Sequence, residues 1–195
     1  MAVIKLADHT PNQTYSYLFD TNVWLYIFGP VAGSNARKQR LYSELLNTII
    51  SRKGTIFITS LVIAEYVNRV LRLGQKQWNM MNGYRQSDFK HDYRPSVHYK
   101  ETLEDAIEQV NEILKITTKR PDDFGRIDIT SVLRSMSQSL DYNDSYLVKC
   151  CEVGGMKLVT DDKDMEAINP TITVIRASYH NTFCKYPPQM ASAEG

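Results

Sequence analysis

The sequence predicts an α/β domain built on a central parallel sheet. Three observations carry the prediction. Short apolar runs alternate along the chain with segments of helical periodicity, glycines punctuate the joins, and 195 residues suffice for one core. Hydrophobic residues make up 43% and charged residues 23%, so a chain of this size can bury a core without disulfides or a structural metal.

Residues 15–20, Tyr-Ser-Tyr-Leu-Phe-Asp, read as a short buried strand that ends in a carboxylate, and residues 21–26 follow with helical spacing. Gly29-Pro30 and Gly33-Ser34-Asn35 then break the chain. Over residues 36–51, Leu41, Leu45, Leu46, Ile49 and Ile50 form one apolar stripe, and Arg37, Lys38 and Arg40 leave the helix start basic. Gly54 stops that helix, and the β-branched run at 55–59 suits a central strand. Ser60 is the expected cap of a helix over 61–73, which Gly74 is expected to end.

Residues 75–123 leave this alternation and predict a helical insertion rather than a second domain. Within it, Leu103, Ile107, Val110 and Leu114 line one face of a helix over 99–116, opposite the solvated acids Glu101, Glu104, Asp105, Glu108 and Glu112. After Pro121 the alternation resumes. A strand is expected at 126–130, a short helix at 131–139, a helix at 144–152 ended by Gly154-Gly155, and strands at 157–160 and 171–175. The domain is expected to span residues 1–186, with a small, polar, disordered tail at 187–195.

A net charge of +1 means that attraction for nucleic acid must come from local patches rather than a global field. The three cysteines, Cys150, Cys151 and Cys184, form no C-x-x-C pair, so they read as reduced thiols and suggest neither a disulfide framework nor a zinc site. With no apolar run of membrane-spanning length and no signal-peptide segment, a cytoplasmic location and no membrane partner are expected.

The acids carry the chemistry. Asp20 falls at the carboxyl end of the first strand, and Asp161 and Asp162 fall at the carboxyl end of the 157–160 strand. Open parallel sheets bind ligands outside those ends, beside the point where strand order reverses. Glu65 lies about one and a half turns into its helix, on a mostly apolar stretch where an unpaired carboxylate is expensive, and Asp144 lies in the first turn of its own. Carboxylates converging on one crevice repel unless a cation sits between them, and hard oxygen ligands suit Mg²⁺ or Mn²⁺, as one ion or two. Such a site suits phosphodiester hydrolysis by metal-activated water. Each acid taken alone also has a plainer reading: Asp20 and Asp144 as helix caps, Asp161 to Asp164 as turn residues, and Asp141 as a solvated neighbour.

Phe19-Asp20-Thr21-Asn22-Val23, Ser60 with Glu65 five residues on, Asn143-Asp144-Ser145-Tyr146-Leu147 and the 158–165 run Leu-Val-Thr-Asp-Asp-Lys-Asp-Met resemble, in order, the signatures of PIN-domain nucleases, closest in style to the VapC-like toxin ribonucleases. The resemblance covers about residues 15–176 and implies a PIN-like three-layer α/β/α fold. It implies Asp20, Glu65, Asp144 and Asp162 as the catalytic, metal-holding acids, with Asp164 a further ligand. Asp162 is favoured over Asp161, Asn22 would organise Asp20, and Ser60 would support the acids by hydrogen bonding. It also implies Mg²⁺- or Mn²⁺-dependent endonucleolysis of RNA, with an antitoxin protein and a second copy of the chain as further partners. Residues 75–123 exceed what small members of that family carry at this place, so target and toxin behaviour do not transfer with the motifs.

Arg37, Lys38, Arg40 and Arg69 are candidate phosphate contacts, with Arg72, Arg85, Lys90 and Arg94 beyond them. Tyr84, Phe89 and Tyr93 could stack on bases or pack the inserted helices. His9, His91, His98 and His180 are scattered and suggest no triad. Two rival functions differ from a nuclease. A phosphotransfer protein is disfavoured by Asn22 and by the lack of an early adjacent acidic pair, and a catalytically silent RNA-binding or scaffold module is disfavoured by the intact acidic set.

Overall fold

The computed structural model describes residues 3–137, 140–166 and 171–177. An edge strand, β1 (Val3–Lys5), comes first, and the apolar run Tyr17-Leu18-Phe19 then forms β2 (Ser16–Phe19), buried to completion. Helix α1 (Thr21–Ile27) follows directly, and α2 (Ala36–Ser51) starts where the Asn35 side chain accepts a hydrogen bond from the Lys38 amide at 3.1 Å. Tyr42, Leu45, Leu46 and Ile49 are its buried face, recurring at the three- and four-residue spacings of one helical side. Next comes β3 (Thr55–Ile58).

Helix α3 (Ser60–Met81) is longer than the sequence suggests. Its cap is the Thr59 side chain, which accepts from the Val62 amide, and Ser60 is the first helical residue. Gly74 does not end it. That glycine sits mid-helix because α4 (Val97–Ile116) crosses there: a Cβ on Gly74 would lie 2.7 Å and 2.8 Å from the Thr102 side chain and would strike the Tyr93 hydroxyl. Between the two helices a π-helical turn, Phe89–Tyr93, buries Tyr93 against Trp78, Phe89 and Tyr99. The segment predicted as an insertion, residues 75–123, is therefore the last third of α3, this turn, α4 and the short chain after it.

Beyond α4, β4 (Thr118–Lys119) is a two-residue edge strand. The strand expected at 126–130 is not formed. Asp128 instead caps α5 (Ile129–Ser135), accepting from the Thr130 amide at 3.0 Å. Helix α6 (Tyr142–Gly154) is capped by Asp141 and ends at Gly155, whose φ of +62° is a conformation open to glycine at no steric cost. Strands β5 (Lys157–Val159) and β6 (Val174–Arg176) complete the described chain, while the tail at 187–195, Cys184 and His180 lie outside the described residues.

The six strands among the described residues are all parallel, in the order β1-β6-β5-β2-β3-β4, giving the three-layer α/β/α arrangement the sequence predicts. The chain starts at the edge strand β1, crosses to β2, moves to β3 and β4 on one side, then returns to β5 and β6, which fill the space between β2 and β1. Strand order thus reverses beside β2, where Leu18 pairs with Leu158 and Phe19 with Val159. Strands covered on both faces read as continuous apolar runs, which is why β2, β5 and β6 were visible in the sequence. No described helix is long and apolar enough to cross a membrane.

A crevice of acids at the switch point

Asp20 leaves the carboxyl end of β2 at that reversal. It stands at the N-cap position of α1, yet its carboxylate makes no capping bond, so the plain cap reading does not account for it. Oδ2 instead accepts from the Thr160 hydroxyl at 2.7 Å, and the group is almost fully buried. Burial pushes the Asp20 carboxyl up to about 6 against the pull of Thr160, with Glu65 adding to the rise.

Thr160 is the hub of the site, and the sequence reading gave it no role. Its hydroxyl donates to Asp20 and accepts from the Asp162 amide at 3.0 Å and from the Asn22 side chain at 3.4 Å. Asn22 also accepts from the Asp161 amide at 3.1 Å, so one asparagine in α1 holds the exit of β5 in place. The only hint in the sequence was a threonine set directly before an acidic doublet.

The doublet divides its labour. Asp161 turns to α2, where it forms an ion pair with Lys38 and accepts from the Tyr42 hydroxyl at 2.9 Å. Asp162 remains on the other side, near enough to Asp144 to raise its carboxyl, and one of its oxygens accepts from the Asp164 amide at 2.9 Å. Asp164 itself is exposed at the rim.

Asp144 lies in the first turn of α6, but the cap there is Asp141, whose side chain accepts from the Asp144 amide at 3.0 Å. Burial pushes the Asp144 carboxyl up to about 7, and the negative charges of Asp141, Asp20 and Asp162 push in the same direction. Glu65 is half-buried on α3 and accepts from Arg69 at 3.1 Å, a pairing one helical turn long. The structure thus brings Asp20, Glu65, Asp144 and Asp162 into one electrostatic neighbourhood. Ser60 is not bonded to it: its hydroxyl donates to Asp122, an acid unnoticed in the sequence that also receives the Leu61 amide.

Beside the acids runs a groove of about 930 Å³ between α1 and α3, with Glu65, Asn22, Asn143, Asn68, Arg69 and Arg72 on its walls. Of the basic residues expected to meet phosphate, Arg69 and Arg72 line it. Arg37 is exposed, and Arg40 is exposed beside Glu44 at 3.8 Å. Lys38 is removed from that set, because its ammonium is committed to Asp161 and to the Tyr26 hydroxyl at 3.0 Å.

The donor set suits a hard divalent cation. Every candidate ligand is oxygen, two of the acids are pushed toward neutrality by burial and, less, by neighbouring carboxylates, and the hydroxyls of Thr21 and Ser145, next in the chain to Asp20 and Asp144, are buried without a hydrogen-bond partner. Among the described residues no three His, Cys, Asp or Glu side chains are disposed to hold a metal ion together. Mg²⁺ asks for less, since it is usually bound by one or two carboxylates and keeps several waters.

Fold and site together define an α/β domain with an acidic crevice at the carboxyl edge of a parallel sheet. The sequence model of the PIN domain matches residues 17–169, most of the chain, and the chain belongs to the PIN-domain family of nucleases. Nucleases of this family are hydrolases acting on nucleic acids and generally use divalent metal ions. No curated protein matches the chain. Among solved structures it is similar to a chain of VapBC2 from Rickettsia felis, whose crystal structure is described as bound to a DNA fragment from their promoter. Identity is 16%, with 82% of this chain and 98% of that chain covered and a TM-score of 0.49.

Proposed function

We propose that the chain is a Mg²⁺- or Mn²⁺-dependent endoribonuclease that hydrolyses RNA phosphodiesters at the crevice of Asp20, Glu65, Asp144 and Asp162. The observation that carries the reading is the convergence of these four acids, from four separate elements, on the point where strand order reverses. Asp20 and Asp144 would hold the cation, with Asp162 and Glu65 beside them and Asp164 at the rim. A bound divalent ion supplies Lewis acidity toward a phosphate oxygen and lowers the pKa of its water.

The protein's own residues do the positioning. Thr160 fixes the Asp20 carboxylate and the Asp162 backbone with one hydroxyl, and Asn22 holds the same turn from the α1 side. Arg69 and the asparagines of the groove offer donors to a phosphate chain lying across it. RNA as the substrate, an antitoxin protein as a partner and a second copy of the chain are carried by the motif resemblance to VapC-like ribonucleases; a toxin role does not transfer with the motifs and stands or falls with the antitoxin partner.

Incubating the purified protein with RNA and Mn²⁺ or Mg²⁺ tests the reading. Cleavage is expected to stop with EDTA and to fall on the order of 100-fold or more in Asp20→Asn and Asp144→Asn, because the metal's share of transition-state stabilisation is several kcal/mol. Cleavage that survives chelation and both substitutions would overturn it. RNA that is bound but never cut would point to the silent binding module instead.

A further inference from the structure

The polar stripe of α3 does not stop at the acidic crevice. Glu65, Arg69, Arg72 and Lys76 follow one another at spacings of four, three and four residues, which places them along one face of a continuous helix. At the far end of that face lies a second groove, of about 820 Å³, between α3 and the chain leading into the Phe89–Tyr93 turn. Arg72 lines both grooves and joins them.

The second groove is basic and built. Arg72, Lys76, Arg85 and Lys90 line it, all exposed, against a single carboxylate, Asp88. That carboxylate is already accepting from the Lys90 and His91 amides, at 2.8 Å and 2.7 Å. Among the described residues no ion pair neutralises Lys76, Arg85 or Lys90. Four cations around one groove, Arg72 and Lys76 on α3 and Arg85 and Lys90 on the segment facing it, are conspicuous in a chain whose net charge is +1.

The walls are tied together. The Gln75 amide donates to the Ser87 carbonyl at 2.8 Å and to its hydroxyl at 3.1 Å. The Arg72 guanidinium lies 4.1 Å from the centre of the Phe89 ring, so the arginine at the junction is held over the aromatic face. Four cations facing one committed carboxylate favour a phosphate backbone, and Asn79, Gln86 and Phe89 on the same lining add amide groups and an aromatic ring that a base can meet.

We propose that this groove continues the RNA path out of the acidic crevice and grips the phosphates of the strand on one side of the cleavage point. The proposal rests on the ribonuclease reading above and assigns to the inserted helices the task of lengthening the substrate footprint. Along α3, Glu65 and Lys76 are separated by roughly 16 Å at 1.5 Å per residue, room for several nucleotides of single strand.

The test compares labelled unstructured RNAs of about four and about sixteen nucleotides, a span typical of single-strand sites. Binding is followed by anisotropy in an Asp20→Asn background, with and without Lys76→Gln, Arg85→Gln and Lys90→Gln together. The long RNA is expected to bind more tightly than the short one. The triple substitution should abolish that advantage, weakening the long RNA roughly tenfold and flattening its log–log salt dependence by about 2, near 0.7 per lost phosphate contact. An unaltered melting temperature guards against misfolding as the cause.

A length advantage that persists in the triple variant would overturn the proposal and leave the ribonuclease reading standing. Failure of the unsubstituted protein to cut or bind either RNA would bring down both. Duplex DNA held as tightly as the long RNA, and lost in the same variant, would overturn RNA as the occupant and make the groove a DNA contact.

Discussion

The hydroxyl of Thr160 has one proton and two acceptor sites, and all three are used: for Asp20, for the Asp162 amide and for Asn22. Thr160→Val keeps the shape and removes every one of these bonds, leaving a buried carboxylate and a backbone amide short of partners. It is expected to cost about 1–3 kcal/mol in urea unfolding and to lower cleavage, whereas Thr160→Ser should retain both properties. Equal stability of the valine variant and the parent would refute the hub role.

The acids themselves set a pH dependence. The folded Asp20 and Asp144 titrate near 6 and 7, above the ordinary carboxylate range, so the folded chain binds more protons than the unfolded one between about pH 4 and 7. The stability associated with their protonated forms is complete below the unfolded value and is lost as pH rises through the folded values. Without divalent metal, the melting temperature is therefore expected to fall from pH 5 to pH 8. Mn²⁺ should recover part of the loss at pH 8, and Asp144→Asn should remove part of the slope. A profile that rises across that range would contradict the burial of these two groups among neighbouring carboxylates.

Among the elements, α3 shows best where sequence and structure part. Glycine is a common helix terminator, and the residues after Gly74 break the apolar spacing, so an end at Leu73 was the natural expectation. The helix continues because Gly74 lets α4 approach, a reason held by Thr102 and Tyr93 and invisible in the neighbourhood of Gly74. In an open helix Gly→Ala stabilises by up to about 1 kcal/mol. Here Gly74→Ala is expected to have the opposite sign, a loss of roughly 1–3 kcal/mol from overpacking, measurable as a lower melting temperature.

The missing strand at 126–130 has a similar origin. Ile127, Ile129 and Thr130 have strand-like chemistry, but Asp128 offers its side chain to the Thr130 amide and starts a helix. The edge strands Val3–Lys5 and Thr118–Lys119 are too short to leave a pattern, and they take their conformation from their neighbours in the sheet. By contrast the helix at Ala36–Ser51 was legible at both ends, because its apolar stripe and its flanking Asn35 and Gly54 are all local signals.

At the scale of the whole molecule, four acids separated by up to 142 positions meet because the sheet is parallel and reverses beside β2. What could be read was their position after apolar runs or near helix starts, since a strand end is a local property. What could not be read was the partnership of Asp161 with Lys38, 123 residues away, which settles where each member of the doublet turns. A sequence pattern places residues along the chain, while the facing of a side chain is decided by which helix lies against it.

The same clasp reaches one strand further. The Tyr42 hydroxyl, held beside Asp161, lies 3.2 Å from the Thr160 carbonyl and accepts from the Ala177 amide at 3.2 Å, just past β6. One phenol on α2 thus touches the turns that follow two neighbouring strands. The β6 side of the sheet cannot fray there without releasing the acid-bearing turn as well, so the two belong to a single cooperative opening unit. Whatever loosens that edge would be felt at the acids as a change in their spacing, even with every acid left in place.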